Sequence, residues 1–211
     1  AFLHLYSNDV FLDIAEYYLD VQPVIRNVLT WIHAYDPAGQ AKIWQLTGIS
    51  PRDRSQWWHR DTEDSRILKI WMYYSSVTRQ TGALEYVKNS RYGDKNSGIT
   101  PNYIAETDSM PPKAYVTLED TRRIPAEDIL IAPGETGTIL FGDTNGIHRG
   151  GLLTSQGTRL KTQCCYLSPT AYQIRKGPLQ TFDHNPTGGN LCDKNHPLYG
   201  TLSTRAQEAM K

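Results

Sequence analysis

The chain predicts a mainly β fold with flanking helices, built as a jelly-roll or barrel-like double sheet. Three observations predict it. From Ala41 onward the texture is one of short segments rich in β-branched and aromatic residues: "AKIWQLT", "SQWWHRD", "RILKIWMYYSS", "ALEYV", "AYVTL", "DILIA", "GTILFG" and "TRLKTQCCYL". Gly, Pro, Asn and Asp punctuate them, as turns between antiparallel strands require. About eight strands at this spacing in one chain of this size suit a double sheet or a closed barrel.

Taken in order, residues 1–40 read as the helical N-terminal part. Ser7 or Asn8 caps a helix, Asp9 suits its first turn, and Val10, Phe11, Ile14, Tyr17 and Tyr18 recur at helical spacing. Pro23 ends that helix and opens a second, carrying Val24, Val28, Trp31 and Ile32. "YDPAGQ" reads as a turn. Residues 41–169 form the jelly-roll core, with "PRDRS", "TRQTG" and "PGETG" as turns. Residues 91–112 lack periodicity and read as a long loop of the kind that often serves as a lid. Residues 170–211, rich in Pro, Gly and Asn, wrap the surface and close with the helix "STRAQEAMK". The expectation is a single domain over 1–211, preceded by a segment missing here because the chain starts at Ala1 rather than Met.

Composition narrows the partners. With 22 Lys plus Arg against 22 Asp plus Glu in 211 residues the formal charge is zero, so neither nucleic acid nor an anionic membrane is indicated. The apolar runs are far shorter than a bilayer span needs. The three cysteines, the adjacent Cys164 and Cys165 and the distant Cys192, make a poor disulfide framework and favour a reducing, cytoplasmic setting. "TQCCYL" reads as a strand with buried thiols.

The chemistry-bearing residues begin in "QWWHRD". On a strand, His59 and Asp61 point to one face together with Trp57, so the pair can grip one metal ion from one side. His148, in "FGDTNGIHRGG", is the candidate third ligand. Gly146, Gly150 and Gly151 permit close approach or unusual dihedrals around it. Two His and one carboxylate on one face of iron leave three positions open, the arrangement of non-haem Fe(II) oxygenases. An isolated His-x-Asp is more often an ordinary strand pair, so a further feature must decide. Arg159 lies eleven residues after His148, on the face of "TRLKTQCCYL" that also carries Lys161, Gln163 and Cys165. A guanidinium there can pair bidentately with a carboxylate reaching into the barrel.

With these residues in order the chain resembles the phytanoyl-CoA dioxygenase (PhyH) family of Fe(II)/2-oxoglutarate-dependent oxygenases. The resemblance is carried by His59-x-Asp61, "RILKIWMYY", "TGALEYVKNS", His148 and Arg159, and runs from about Ala41 to Ser168. It implies a cupin-like double-stranded β-helix, Fe(II) held by His59, Asp61 and His148 as the catalytic centre, and 2-oxoglutarate and O2 as cosubstrates. It further implies that Arg159 binds the distal carboxylate of 2-oxoglutarate, that Trp71 lines the cosubstrate pocket, and that Gln45 falls near a cosubstrate-contacting strand. The ending "KNSRY" departs from the family's Pro-Gly-Ser-His. Related halogenases replace the carboxylate ligand by Gly or Ala, so Asp61 favours hydroxylation of a small-molecule substrate, with release of succinate and CO2. Trp57 is available as a wall of the substrate site. A zinc hydrolase, a cupin-like isomerase and a non-catalytic jelly-roll binding module are the competing readings. His184, Cys192 and His196 read as exposed loop residues rather than a zinc site, and Arg60 and Arg66 as a solvated charged rim.

Overall fold

Capping residues and β-branched runs set the element order, and the computed structural model describes residues 2–52, 54–99, 101–103, 113–171 and 199–210. Helices α1 (Phe2–Tyr6) and α2 (Asp9–Leu19) come first. The Asn8 side chain accepts from the Phe11 amide at 3.1 Å, and Asp20 closes α2 in the left-handed conformation. Then follow β1 (Val24–Ala34), α3 (Pro37–Thr47), β2 (His59–Asp61), β3 (Leu68–Tyr73) and β4 (Leu84–Val87). After these come β5 (Pro101–Tyr103), β6 (Lys113–Val116), α4 (Leu118–Thr121), β7 (Ile129–Ala132) and β8 (Ile139–Asp143). The remaining elements are β9 (His148–Arg149), β10 (Thr158–Leu167) and α5 (Thr204–Glu208).

Two expectations are overturned. Residues 24–34 form a strand, not a second N-terminal helix. Val24, Val28, Trp31 and Ile32 match helical spacing, but the stretch is rich in β-branched residues and lies antiparallel along β10 from Val24↔Leu167 to Ala34↔Thr158. Conversely, "AKIWQLT" is not a strand but the body of α3. Asp36 accepts from the Gly39 amide at 2.9 Å, Pro37 takes the first helical turn, and Gly48 ends the helix with φ of 65°. These start and stop signals are present in "YDPAGQ…TG" and outrank the local apolar pattern.

The strands form two antiparallel sheets, a four-stranded one in the order β1-β10-β3-β8 and a six-stranded one in the order β5-β6-β2-β9-β4-β7. They make the core a jelly roll. One face of the four-stranded sheet, carrying Leu68, Ile70, Cys164 and Tyr166, packs on Leu3, Tyr6, Phe11, Leu12 and Ala15 of the first two helices. Leu202, Ala206, Ala209 and Met210 bring the C-terminal helix region into the same core. Strand alternation then sends Lys69, Trp71 and Tyr73 of β3, and Arg159, Lys161, Gln163 and Cys165 of β10, to the opposite face. Register pairs them as Lys69↔Cys165, Trp71↔Gln163 and Tyr73↔Lys161, a polar row inside the roll. Cys164 and Cys165 are buried free thiols, as expected of strand positions, and burial pushes both upward in pKa.

Candidate metal and cosubstrate site

Strand β2 divides its side chains between two environments. Trp58 goes outward into an apolar cluster with Val87, Ile99, Val116 and Ile147, while His59 and Asp61 go inward. Strand β9 places His148 directly opposite His59 in the antiparallel ladder. The Asp61 amide donates to the Thr144 carbonyl at 2.9 Å, which ties β2 to the turn leading into β9. The ligand atoms of His59, Asp61 and His148 all lie within 4.8 Å of one another, and all three residues are buried. His148 Nε2 stands 3.5 Å from Asp61 Oδ2, and His59 Nε2 stands 3.9 Å from Asp61 Oδ1.

The orientation of both imidazoles follows from their other nitrogen. His59 Nδ1 is 2.7 Å from the Trp57 carbonyl and His148 Nδ1 is 2.9 Å from the Gly146 carbonyl. A carbonyl only accepts, so each Nδ1 donates its proton there and each Nε2 is turned toward Asp61. That is the orientation of a histidine ligating through Nε2, its other nitrogen held by a backbone carbonyl. The donor set therefore fits a divalent ion of the iron or zinc type with positions to spare.

The glycines around His148 act through close approach. A Cβ on Gly146 would stand 1.8 Å from Tyr86 Oη, and one on Gly151 would stand 2.3 Å from the Ala83 carbonyl oxygen. Asp143, at the end of β8, anchors the same turn. Its Oδ1 accepts from the Ile67 and Asn145 amides at 3.2 and 2.9 Å, and Oδ2 meets Arg91 at 2.9 Å and the Tyr18 hydroxyl. Tyr86 in turn donates to the Asp143 carbonyl at 2.9 Å.

Lys69 is a site residue that the sequence motifs did not single out. From β3, in the other sheet, its ammonium donates to Asp61 Oδ2 and lies 3.7 Å from Glu63 Oε1. Burial by itself would lower the ammonium pKa, but Asp61 and Glu63 outweigh it and hold the pKa above the ordinary lysine value. Its alternation with Trp71 was legible. Its reach across the roll was not, because that depends on how the sheets face each other.

A pocket lined by Trp71, Tyr73, Leu84, Gly150, Arg159 and Lys161 includes a glycine two residues beyond His148. Arg159 is only 3 % exposed, its Nε has no hydrogen-bond partner, and among the described residues no carboxylate pairs with it. Burial depresses its pKa and nearby Tyr73 offsets that only in part. Trp71 Nε1 donates to Gln163 Oε1 at 2.8 Å, which fixes the indole against the pocket wall. His33 lies opposite Arg159 in the β1–β10 register. Burial, then Arg159 and Lys161, lower its pKa to about 4.

Other expected residues fall elsewhere. Gln45 is exposed on α3 and does not belong to a strand, because the Asp36 and Gly48 caps turn that segment into a helix. Trp57 lies just before β2, half-buried, and its carbonyl orients His59. Arg60 is no part of a solvated rim: it is fully buried, donates to the Asn145 carbonyl at 2.6 Å and stacks 4.9 Å from the Tyr92 ring. Alternation forces this, since β2 must turn Arg60 away from the face that holds its neighbours. Arg66 is exposed and reaches the Tyr18 carbonyl. His184, Cys192, His196 and most of the 91–112 loop beyond Tyr103 lie outside the described residues. Among the described residues no helix is long and apolar enough to cross a membrane.

No protein-family model and no curated protein matches the chain. Its solved structural neighbours include non-haem iron and 2-oxoglutarate-dependent enzymes, and the likeness is one of fold. The epimerase SnoN in complex with Fe3+, alpha ketoglutarate and nogalamycin RO is 16% identical over 89% of this chain and 66% of that one, with a TM-score of 0.56. A second structure of SnoN, described as a non-heme alpha ketoglutarate dependent epimerase from nogalamycin biosynthesis, matches 80% of this chain and 56% of that one at a TM-score of 0.52. EctD from S. alaskensis with 2-oxoglutarate and 5-hydroxyectoine is 13% identical over 78% of this chain and 51% of that one, at 0.50. The chain spans between about half and two thirds of the length of these neighbours.

Proposed function

We infer that the protein is an Fe(II)/2-oxoglutarate-dependent oxygenase of the PhyH type, acting on a small molecule. The observation that carries this reading is the pairing of two features in one interior. A His-Asp-His cluster presents two Nε2 atoms and a carboxylate, and the same interior holds a buried guanidinium without a carboxylate partner among the described residues. A zinc hydrolase needs the first feature but has no use for the second. SnoN and EctD, each solved with 2-oxoglutarate, share the fold and support the choice of cosubstrate.

In this reading His59, Asp61 and His148 hold Fe(II), which, when bound with 2-oxoglutarate and O2, supplies the oxidising chemistry while succinate and CO2 are released. The chain's own residues position and shelter. Arg159 pairs with the distal carboxylate of 2-oxoglutarate, and Lys161 adds a second positive charge to the same pocket. Trp71 forms the wall of that pocket and Trp57 a wall of the substrate site. Gln45, exposed on α3, is not assigned a cosubstrate contact. Hydroxylation is the expected outcome, since Asp61 keeps the carboxylate ligand. SnoN is described as an epimerase, so a product analysis must decide. The assay is formation of succinate from 2-oxoglutarate by the Fe(II)-loaded protein, with and without a panel of small metabolites. Absence of succinate from metal-loaded, cosubstrate-saturated protein under every condition would overturn the reading in favour of a binding module or a hydrolase.

A further inference from the structure

Asp61 has two oxygens, and the number of them that reach a metal decides what else can bind. Two imidazoles and one carboxylate oxygen occupy three of six octahedral positions. A carboxylate binding through both oxygens occupies a fourth, and a chelating 2-oxo acid would then fill the site completely. Control of the carboxylate is therefore control of the open positions.

Resting on the reading above, we propose that Lys69, paired with Glu63, is a positioning residue that holds Asp61 to metal binding through a single oxygen. The geometry is specific. Lys69 reaches from β3 across the interior to Asp61 Oδ2, which also stands 3.5 Å from His148 Nε2. Oδ1 stands 3.9 Å from His59 Nε2, so the lysine competes with the metal for one of two oxygens that both face ligand nitrogens. The Lys69 side chain is 9% exposed and that of Glu63 12%, so both ends of the pair are sheltered from water. Glu63 balances the lysine charge, so the pair adds a hydrogen-bond donor to Asp61 while leaving the net charge of the metal site unchanged. A lysine without Glu63 would repel a divalent ion. A glutamate without Lys69 would leave Asp61 able to turn both oxygens inward.

The two halves of the pair thus predict opposite effects. In Lys69→Met, metal affinity stays at or above that of the wild type, because a cation has gone and the second oxygen is released to the metal. The metal-loaded protein keeps the two positions that 2-oxoglutarate fills but loses the third, so its 2-oxoglutarate complex no longer takes up nitric oxide, a surrogate for O2. In Glu63→Gln, an unbalanced ammonium weakens metal binding about tenfold, while 2-oxoglutarate affinity of the loaded protein is retained. Metal affinity is measured by anaerobic Fe(II) competition and with Co(II), whose d–d absorption reports coordination number without any cosubstrate. Cosubstrate affinity is measured separately by charge-transfer titration. Because the metal readouts need no 2-oxoglutarate, they test the lysine even if the cosubstrate reading fails. A merely structural Lys69 would lower metal affinity and thermal stability together and leave the Co(II) spectrum unchanged, which would overturn the proposal. If Lys69→Met does not fold, Glu63→Gln decides alone, and unchanged metal affinity in that variant overturns it.

Discussion

Replacing Arg159 by Met is expected to raise the stability of the cosubstrate-free protein while destroying 2-oxoglutarate binding. Arg159 is 3 % exposed with its Nε unpartnered, and among the described residues no carboxylate compensates its charge. Desolvation of a guanidinium without a counter-charge is unfavourable, and an apolar side chain of similar volume at such a site is often neutral or stabilising by about 1–4 kcal/mol. For a domain of this size each kcal/mol moves the melting temperature by about 2–4 °C. On the proposed assignment the same change removes the partner of the distal carboxylate of 2-oxoglutarate, a loss of roughly 2–5 kcal/mol. At about 1.4 kcal/mol per tenfold, that weakens 2-oxoglutarate by roughly thirtyfold at the least. Lys at this position restores charge but not the planar fork, so Arg159→Lys falls between the two. Anaerobic titration of 2-oxoglutarate into the Fe(II) protein, followed by charge-transfer absorption, gives the affinity, and calorimetry without cosubstrate gives the stability. Unchanged 2-oxoglutarate affinity in Arg159→Met, or a lower melting temperature without cosubstrate, refutes the picture of a cation kept for an incoming anion.

His59→Ala and His148→Ala each remove one imidazole whose orientation is set by a backbone carbonyl, and each is expected to lose Fe(II) binding by equilibrium dialysis. On the proposed reading, Asp61→Gly is expected to end substrate oxidation and to leave a coordination position accessible to chloride, a change read from product mass spectra; oxidation at the wild-type rate would remove Asp61 from the ligand set. Gly146→Ala forces Tyr86 away from the Asp143 carbonyl, because the new Cβ would stand 1.8 Å from the hydroxyl oxygen. A stability loss of about 1–3 kcal/mol in denaturant titration, together with weaker metal binding through the displaced His148 turn, is the expected result. His33 has a folded pKa lowered from 6.5 to about 4, so between those values the unfolded chain binds the proton and the native state does not. Stability contributed at neutral pH is therefore lost as pH falls from 6.5 toward 4, and His33→Gln should flatten that part of the profile.

Much of the fold was legible because alternation is a local property. The segments around Leu68–Tyr73, Leu84–Val87, Ile129–Ala132, Ile139–Asp143 and Thr158–Leu167 carry their strand pattern in their own residues. Residues 24–34 misled because apolar spacing there satisfies helix and strand alike, and pairing with the distant β10 decides between them. For α3 the Asp36–Pro37 start and the Gly48 stop were legible signals that the run "AKIWQLT" obscured.

The site divides in the same way. His59-x-Asp61 on one face, the glycine-framed His148 and Arg159 on its strand face are written in the sequence, since each depends only on chain order and strand periodicity. What only the tertiary structure decided is which groups meet. It paired His59 with His148 across β2 and β9, oriented both imidazoles through the Trp57 and Gly146 carbonyls, and buried Arg60 under Tyr92. It also brought Lys69 from the opposite sheet onto Asp61. Periodicity assigns a side chain to a face, but the facing of two sheets is set by long-range pairing and packing that no local stretch of residues encodes.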